Sequence, residues 1–236
     1  MARPVRLENV QVITFDCYGT LIDWEGGARQ TVRGLLEKSP AHLPSGVPLD
    51  EVLDNSFQAW ERAQWERIHG TYARYRDIAR EALVEVAAVQ GLPLGVNEGA
   101  AFADSIATWK PFPDTVAALR KLKQAGLRLG IISNIDDDIL QATVQQLGVE
   151  FDLLMTAQQA RAYKPSPVPF QRALGRLGVP PAQIAHAAFG FEYDIGPAAA
   201  LGLRTILVRR SRVDFPPQPV PDLVVANLTE LASLFE

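Results

Sequence analysis

The sequence predicts a three-layer, doubly wound parallel α/β core with an all-helical domain inserted near its start. Three observations carry the prediction. The apolar, β-branched run over residues 10–15 ends abruptly at Asp16 and passes into a Tyr-Gly-Thr turn, as a buried strand does where it meets a ligand crevice. No convincing strand pattern occurs between Asp23 and Lys110. From Pro111 onward, short apolar runs alternate with helical patterns, which is the signature of βαβ units and a parallel sheet. The expected domains are a core over residues 1–23 and 111–236 and a helical cap over residues 24–110.

In chain order, the first strand is followed by Gly26-Gly27, which loosens the chain, and by a helix over residues 28–38 with Val32, Leu35 and Leu36 on one face. Residues 39–48, which contain Pro, Ser and Gly, read as a loop. Residues 49–69 and 72–90 read as two long amphipathic helices, the second starting after Gly70-Thr71, and residues 98–107 as a weaker third. An all-helical block placed directly after the first strand is expected to cover that strand's active edge. Pro111 and Pro113 close the insertion. Residues 114–124 form a helix ended by Gly126, and residues 127–132 a buried strand ending at Ser133-Asn134. A helix over 136–147 carries three acids at its start, where they complement the helix dipole. A strand over 151–155, a helix over 167–177 and a short strand over 185–189 come next. A small helix over 194–201, strands over 204–208 and 223–225, and a helix over 228–235 complete the chain.

Composition narrows the function classes. A chain of 236 residues suffices for a real hydrophobic core. The net charge of -4, with charges interspersed and no Lys/Arg-rich run, argues against nucleic-acid binding. The single cysteine excludes an internal disulfide and fits a reducing compartment. The first residues lack an apolar signal core, and no segment is apolar enough to span a bilayer. A soluble cytoplasmic protein is the expectation.

Asp16 presents a carboxylate at a strand's C-terminal edge, and Gly19 allows the tight turn that brings backbone N–H groups near it. Taken alone, such an aspartate also serves as a turn or helix-capping residue. The whole stretch Phe15-Asp16-Cys17-Tyr18-Gly19-Thr20-Leu21-Ile22-Asp23 resembles the nucleophile motif of the haloacid dehalogenase superfamily in its 2-haloacid dehalogenase-like form. Three further motifs of that superfamily follow in order, so the resemblance covers the Rossmann-like core. The helical insertion resembles the dehalogenase cap only in being helical and rich in aromatics.

The resemblance implies Asp16 as the nucleophile. Superfamily phosphatases place a second aspartate two positions later as general acid; here that residue is Tyr18, assigned to the substrate turn through its backbone groups. Thr20 is placed to donate to the carboxylate or a ligand, or is an ordinary turn hydroxyl. Ser133 and Asn134 match the pair that holds the substrate's acid group and leaving group; a hydroxyl beside helix-start N–H groups makes a small anion site. Lys164, in Ala-Tyr-Lys-Pro-Ser-Pro, matches the lysine that keeps the nucleophile ionised, against the alternative of a solvated loop lysine. Six residues later the dehalogenases generally have tyrosine, whereas this chain has Phe170.

The fourth motif diverges most. Asp194 fits its last acid, but Phe189 and Phe191 occupy positions that carry acid, Ser or Asn elsewhere in the superfamily. With Asp16 and Asp194 as the remaining acids and Glu192 misplaced, no metal requirement is expected, since Mg²⁺ needs several hard oxygen ligands. Asp194 is expected to orient Lys164 or to activate the water that cleaves an ester. Cys17 reads as packing, and Asp23 as a brace for the turn into the insertion. Trp60, Trp65, His69, Tyr72 and Tyr75 are either core or a partly apolar lid. The dehalogenase cap arginine has no counterpart in residues 39–48, leaving Arg29, Arg33 and Arg62 as candidates. His42, His69 and His186 lack metal-ligand spacing.

The expected function is a hydrolase that displaces halide from the α-carbon of a small 2-haloalkanoic acid through an aspartyl ester, of the (S)-2-haloacid dehalogenase kind. The expected partner is a small carboxylic-acid substrate, with neither nucleic acid nor membrane. The resemblance also suggests a homodimer, which these residues do not themselves argue. Rival readings are a Mg²⁺-dependent phosphatase, a C–N hydrolase of the same fold, and a weakly catalytic binding module motivated by Phe189 and Phe191.

Overall fold

A computed structural model describes residues 7–38, 46–210 and 219–235. The chain divides into two compact units, one of Met1–Asp23 with Lys110–Glu236 and the other of Trp24–Trp109. Expectations for the start of the chain and for most of the 39–48 loop fall on residues 1–6 and 39–45, outside the described residues.

Strand β1 (Val12–Phe15) has four consecutive buried residues, as a parallel strand covered on both faces requires. The helical unit follows with α1 (Trp24–Leu36), α2 (Leu49–Ile68), α3 (Tyr75–Gln90) and α4 (Val96–Ser105). Helix α1 begins earlier than the glycine pair suggests, because Gly27 is packed within it. A Cβ at Gly27 would stand 2.4 Å from Trp109 Cγ, so the indole lies where any side chain would be. Helix α3 begins later than the pattern suggests, since Arg74 holds an extended conformation as its cap. The unit's core is aromatic. Trp60, 1% exposed, meets Phe102 edge-on at 5.0 Å and Trp24 at 5.6 Å, and its Nε1–H donates to Ala79 O at 3.2 Å. Buried indole and phenyl rings contribute apolar area and ring geometry together. Trp60 and Tyr75 are therefore core, whereas His69 is exposed with Trp65 against its ring at 4.5 Å.

The α/β unit resumes with α5 (Thr115–Gln124), β2 (Arg128–Ser133), α6 (Asp137–Leu147) and β3 (Leu153–Thr156). A short helix α7 (Ala157–Ala160) follows, then α8 (Val168–Leu177), β4 (Ile184–Ala188), α9 (Gly196–Ala200), β5 (Arg204–Val208), β6 (Leu223–Val225) and α10 (Leu228–Ser233). The sheet is parallel throughout in the order β3-β2-β1-β4-β5-β6. The chain steps outward from β1 to β2 and β3, then returns past β1 to β4. This reversal opens a crevice beyond the carboxyl ends of β1 and β4, the place where open α/β sheets take ligands. Helix α8 packs on β2 and β3 and α5 on β2 and α10, giving the doubly wound architecture expected.

Three local features depart from the pattern reading. Helix α7 was expected as loop; Thr156 caps it by accepting from Gln159 N at 3.0 Å. Strand β4 stops at Ala188, leaving Phe189 beyond its end. Asp194 does not open a helix but lies in a π-helical turn, Phe191–Ile195, closed by Ile195 N–H to Gly190 O at 3.2 Å. The following helix begins at Gly196-Pro197, because proline lacks an N–H and suits only a first turn. Single π turns inside helical segments are concentrated at functional sites. No helix among the described residues is long and apolar enough to cross a membrane.

Candidate active site

Asp16 continues the ladder one residue past β1, its N–H donating to Ala187 O at 3.1 Å. The residue is 4% exposed. The turn beyond folds onto Cys17 O, which accepts from Leu21 N at 2.7 Å and Ile22 N at 2.9 Å. Gly19 has φ 95°, and a Cβ there would stand 2.1 Å from Phe189 Cε1, so both backbone and space demand glycine. Thr20 is thereby turned back: its hydroxyl donates to Asp16 Oδ2 at 2.9 Å and accepts from Phe189 N at 3.0 Å. Arg210 holds the turn from beyond β5, donating to Thr20 O at 2.9 and 3.0 Å while pairing with both oxygens of Asp114.

Lys164 is fully buried, and its ammonium has three N–H donors. All three find acceptors: Asp16 Oδ1 at 2.9 Å, Asp194 Oδ1 at 2.6 Å and Ile132 O at 2.9 Å. One cation thus joins the ends of β1, β2 and the turn after β4. Burial alone would lower the lysine's pKa, but the adjacent Asp16 and Asp194 charges outweigh it and raise it. The two carboxylates diverge. Burial raises Asp16, helped by the charge of Asp194 and only partly offset by Lys164 and Thr20. Burial pushes Asp194 the same way, yet Lys164 and the hydrogen bond from His186 overcome it and leave its pKa lowered.

Asp194 is fully buried and asymmetric in its contacts. Oδ1 takes Lys164 Nζ at 2.6 Å and His186 Nε2 at 2.9 Å, while Oδ2 has no hydrogen-bond partner among the described residues. His186 lies beside Thr14 in the β1–β4 register and meets its hydroxyl through Nδ1 at 3.0 Å. Phe170, fully buried, packs edge-on against the imidazole at 4.9 Å.

The structure brings Asp16, Thr20, Lys164 and Asp194 into one hydrogen-bonded cluster. Ser133 ends β2 next to the Ile132 carbonyl that binds Lys164, is nearly buried, and makes no hydrogen bond through its hydroxyl to the described residues. Asn134 directs its side chain to the backbone of Lys164. Its Oδ1 accepts from Lys164 N at 2.7 Å and its Nδ2 donates to Lys164 O at 2.9 Å. That two-point clasp fixes the peptide groups of Lys164 and so aims its side chain. Tyr18 turns its hydroxyl to Thr143 of α6 at 2.7 Å. Cys17 is buried, and burial beside Asp16 holds its thiol well above the ordinary range, so it packs rather than reacts. Within the helical unit, Arg29 pairs with Glu25 at 2.9 Å and with Asp54, and Arg33 pairs with Asp50. Arg62 is exposed.

A family model for haloacid dehalogenase-like hydrolases matches residues 10–202, which includes every residue of this cluster. The chain belongs to that family. Among curated relatives, the haloacetate dehalogenase H-2 of Moraxella sp. (strain B) is 28% identical over 86% of this chain and 88% of its own length. An (S)-2-haloacid dehalogenase of Pseudomonas putida is 27% identical over 96% of this chain and 97% of its own. The L-2-haloacid dehalogenase of Xanthobacter autotrophicus, solved with chloropropionic acid covalently bound, is 25% identical with a TM-score of 0.79, covering 95% of this chain and 98% of that one.

The donors around Asp16 do not fit the Mg²⁺ that some haloacid dehalogenase-like hydrolases use, an ion that needs several hard oxygen ligands. Asp16 and Asp194 share an ammonium, Phe189 replaces an acid, and Glu192 is exposed. Among the described residues no group of three His, Cys, Asp or Glu is placed to hold a metal.

Sequence reasoning missed His186, Thr14, Arg210 and the clasp of Asn134. A polar residue in the middle of the apolar run Ile184–Ala188 was the signal available for His186, because a buried imidazole requires partners.

Proposed function

We propose that this hydrolase displaces halide from the α-carbon of a small 2-haloalkanoic acid, with Asp16 as nucleophile and without a metal. The observation that carries the reading is a buried Asp16 carboxylate held on both oxygens, by Lys164 and by Thr20, with Tyr18 where a phosphatase needs a second acid. The haloacetate dehalogenase and (S)-2-haloacid dehalogenase relatives support the substrate class.

Attack at carbon needs an aligned, poorly solvated carboxylate. Oδ2 is the better nucleophile, because a neutral hydroxyl withdraws less charge from it than the ammonium withdraws from Oδ1. As Oδ2 bonds to the α-carbon, the carbon–halogen pair leaves with the halide. Oδ1 then becomes the ester carbonyl oxygen, 2.9 Å from a Lys164 N–H that is ready to stabilise charge developing there. Water attacks the ester carbon and passes a proton to Asp194. The acyl–oxygen bond breaks, the product oxygen takes up a proton, and Asp16 returns as carboxylate. The sum is haloacid and water giving 2-hydroxy acid, halide and one proton. Ser133, with its uncommitted hydroxyl, is the substrate-carboxylate contact.

The test is a single turnover of 2-chloropropionate in heavy-oxygen water, followed by mass analysis of the peptide carrying Asp16. One heavy oxygen on that peptide is expected. The absence of halide release from chloro-, bromo- and fluoroacids would overturn the assignment, and chelator-sensitive hydrolysis of phosphate esters would replace it with the magnesium-dependent alternative.

A further inference from the structure

We infer that His186 is a positioning residue for the hydrolytic half of the reaction, holding Asp194 so that its free oxygen faces the attacking water. The inference rests on the dehalogenase reading above and adds to it a residue that forms no part of the motifs. His186 stands in the centre of a fully buried strand, where a polar ring is costly unless both nitrogens are satisfied. They are, by Thr14 Oγ1 at 3.0 Å and Asp194 Oδ1 at 2.9 Å. An ionised carboxylate only accepts, so Nε2 carries the hydrogen that binds Asp194. Nδ1 can then accept the Thr14 hydroxyl, whose other acceptor, Ala185 O, is more distant at 3.4 Å. Thr14 fixes the ring on one side, and Phe170 blocks rotation from the face of α8.

The consequence lies in the asymmetry of Asp194. Two donors, from Lys164 and His186, converge on Oδ1 and fix the plane of the carboxylate. Oδ2 remains buried with open lone pairs and no partner among the described residues. In the turn from 189 to 194, Phe189 and Phe191 contribute no polar side-chain group and Glu192 is exposed, while the Tyr193 ring lies 5.8 Å from Lys164 Nζ and edge-on to Phe189. The buried Asp194 Oδ2, with its open lone pairs, is assigned the orientation of the water, and His186 the orientation of Asp194. The ring touches no substrate atom and acts through Asp194 alone.

The chemistry separates this role from a structural one. Alkylation of Asp16 does not need Asp194 as a base, whereas ester cleavage does. Gln at 186 can present its amide N–H where Nε2–H stands, while Asn, one methylene shorter, reaches only towards Thr14. The experiment compares His186→Gln with His186→Asn by rapid-quench halide release, steady-state turnover and intact-protein mass during turnover of 2-chloropropionate. His186→Gln is expected to behave nearly as wild type. His186→Asn should release its first equivalent of halide within about twofold of the wild-type rate, then turn over ~10- to 100-fold more slowly while ester mass accumulates on Asp16. If His186→Asn does not fold, Thr14→Val, which frees Nδ1, should show the same burst with a smaller slowing. Equal behaviour of the Gln and Asn variants, or slowing without ester accumulation, would overturn the role of His186 while leaving the dehalogenase reading intact. A wild type that forms no ester would overturn both.

Discussion

Replacing Lys164 by Met tests the cluster most directly, because it removes a cation and leaves the shape of the core nearly unchanged. The ammonium lies 2.9 Å from Asp16 and 2.6 Å from Asp194, with no exposure to water. Without it, two buried carboxylates face each other. At a separation of roughly 5 Å and an effective dielectric near 20, their repulsion is about 3 kcal/mol, and it raises the pKa of the pair. Loss of the attraction to the ammonium adds to this, and it falls on Asp16, whose pKa burial already raises. Asp194 keeps its hydrogen bond from His186, which Asp16 lacks, so the added repulsion falls more on Asp16. The Asp16 pKa in the variant is therefore expected to lie above that of the wild type, leaving less of the carboxylate ionised to attack.

We expect kcat/KM for halide release at pH 7 to fall by about 10³-fold, equivalent to about 4 kcal/mol, with residual activity rising as pH is raised. Stability has its own sign. In the variant the Asp16 pKa lies above its unfolded value, so the folded state is most favoured below the unfolded pKa and loses that advantage as pH rises through the folded pKa. Urea midpoints should therefore be higher at pH 5 than at pH 8. In the wild type, Asp194 has the opposite sign: its lowered pKa contributes stability above the ordinary aspartate range, lost as pH falls through the depressed value. Halide release by the variant at the wild-type rate at pH 6, or an acid limb coincident with that of the wild type, would refute the reasoning.

Asp16→Asn should abolish halide release while leaving stability at pH 7 unchanged or higher by about 1 kcal/mol, since the folded state disfavours the Asp16 charge; a fall of several kcal/mol on thermal unfolding would contradict this. Gly19→Ala puts a methyl group where Phe189 lies, at φ 95°, and should cost about 2–4 kcal/mol in urea unfolding together with most of the activity. Trp60→Ala empties the centre of the helical unit and should cost about 3–5 kcal/mol; a loss below 1 kcal/mol would show that the ring is not the core it is taken to be.

What was legible in the sequence was local. Ser133 ends a strand, and Asp16 and the Asp194 turn each follow one, so apolar runs announce where a polar residue meets the crevice. Lys164 follows helix α7 and was legible by motif instead. Topology followed from the same runs, because alternating strands and helices leave few parallel arrangements. The rest was illegible for a physical reason: it depends on partners far apart in the chain. Thr14 meets His186 across the β1–β4 register, and Asn134 clasps a backbone 30 positions away. A histidine in an alanine-rich strand has the same pattern whether it is a packing residue or a partner of a carboxylate. The π turn at Phe191–Ile195 also has no periodicity distinct from that of a helix, so Asp194 read as a helix start.

The shared ammonium resolves an apparent conflict in the site. A base should be basic, yet Asp194 is held below the ordinary aspartate range, mainly by Lys164. On the proposed pathway this hold lasts until negative charge returns to Asp16 during attack on the ester. Esterification removes the charge of Asp16 and leaves Lys164 paired chiefly with Asp194. As water adds, negative charge grows on Asp16 Oδ1, within 2.9 Å of the same nitrogen. The ammonium is then drawn from one oxygen to the other, and its hold on Asp194 weakens as the proton must be taken. The basicity of Asp194 thus rises towards the transition state rather than in the ground state, the distribution of binding energy that accelerates a step. His186 keeps Asp194 oriented through that exchange, since its hydrogen bond to Oδ1 does not depend on Lys164. A neutral donor at 164 would lack this transfer of charge, which is why the site needs a lysine shared by two acids and not two independent hydrogen bonds.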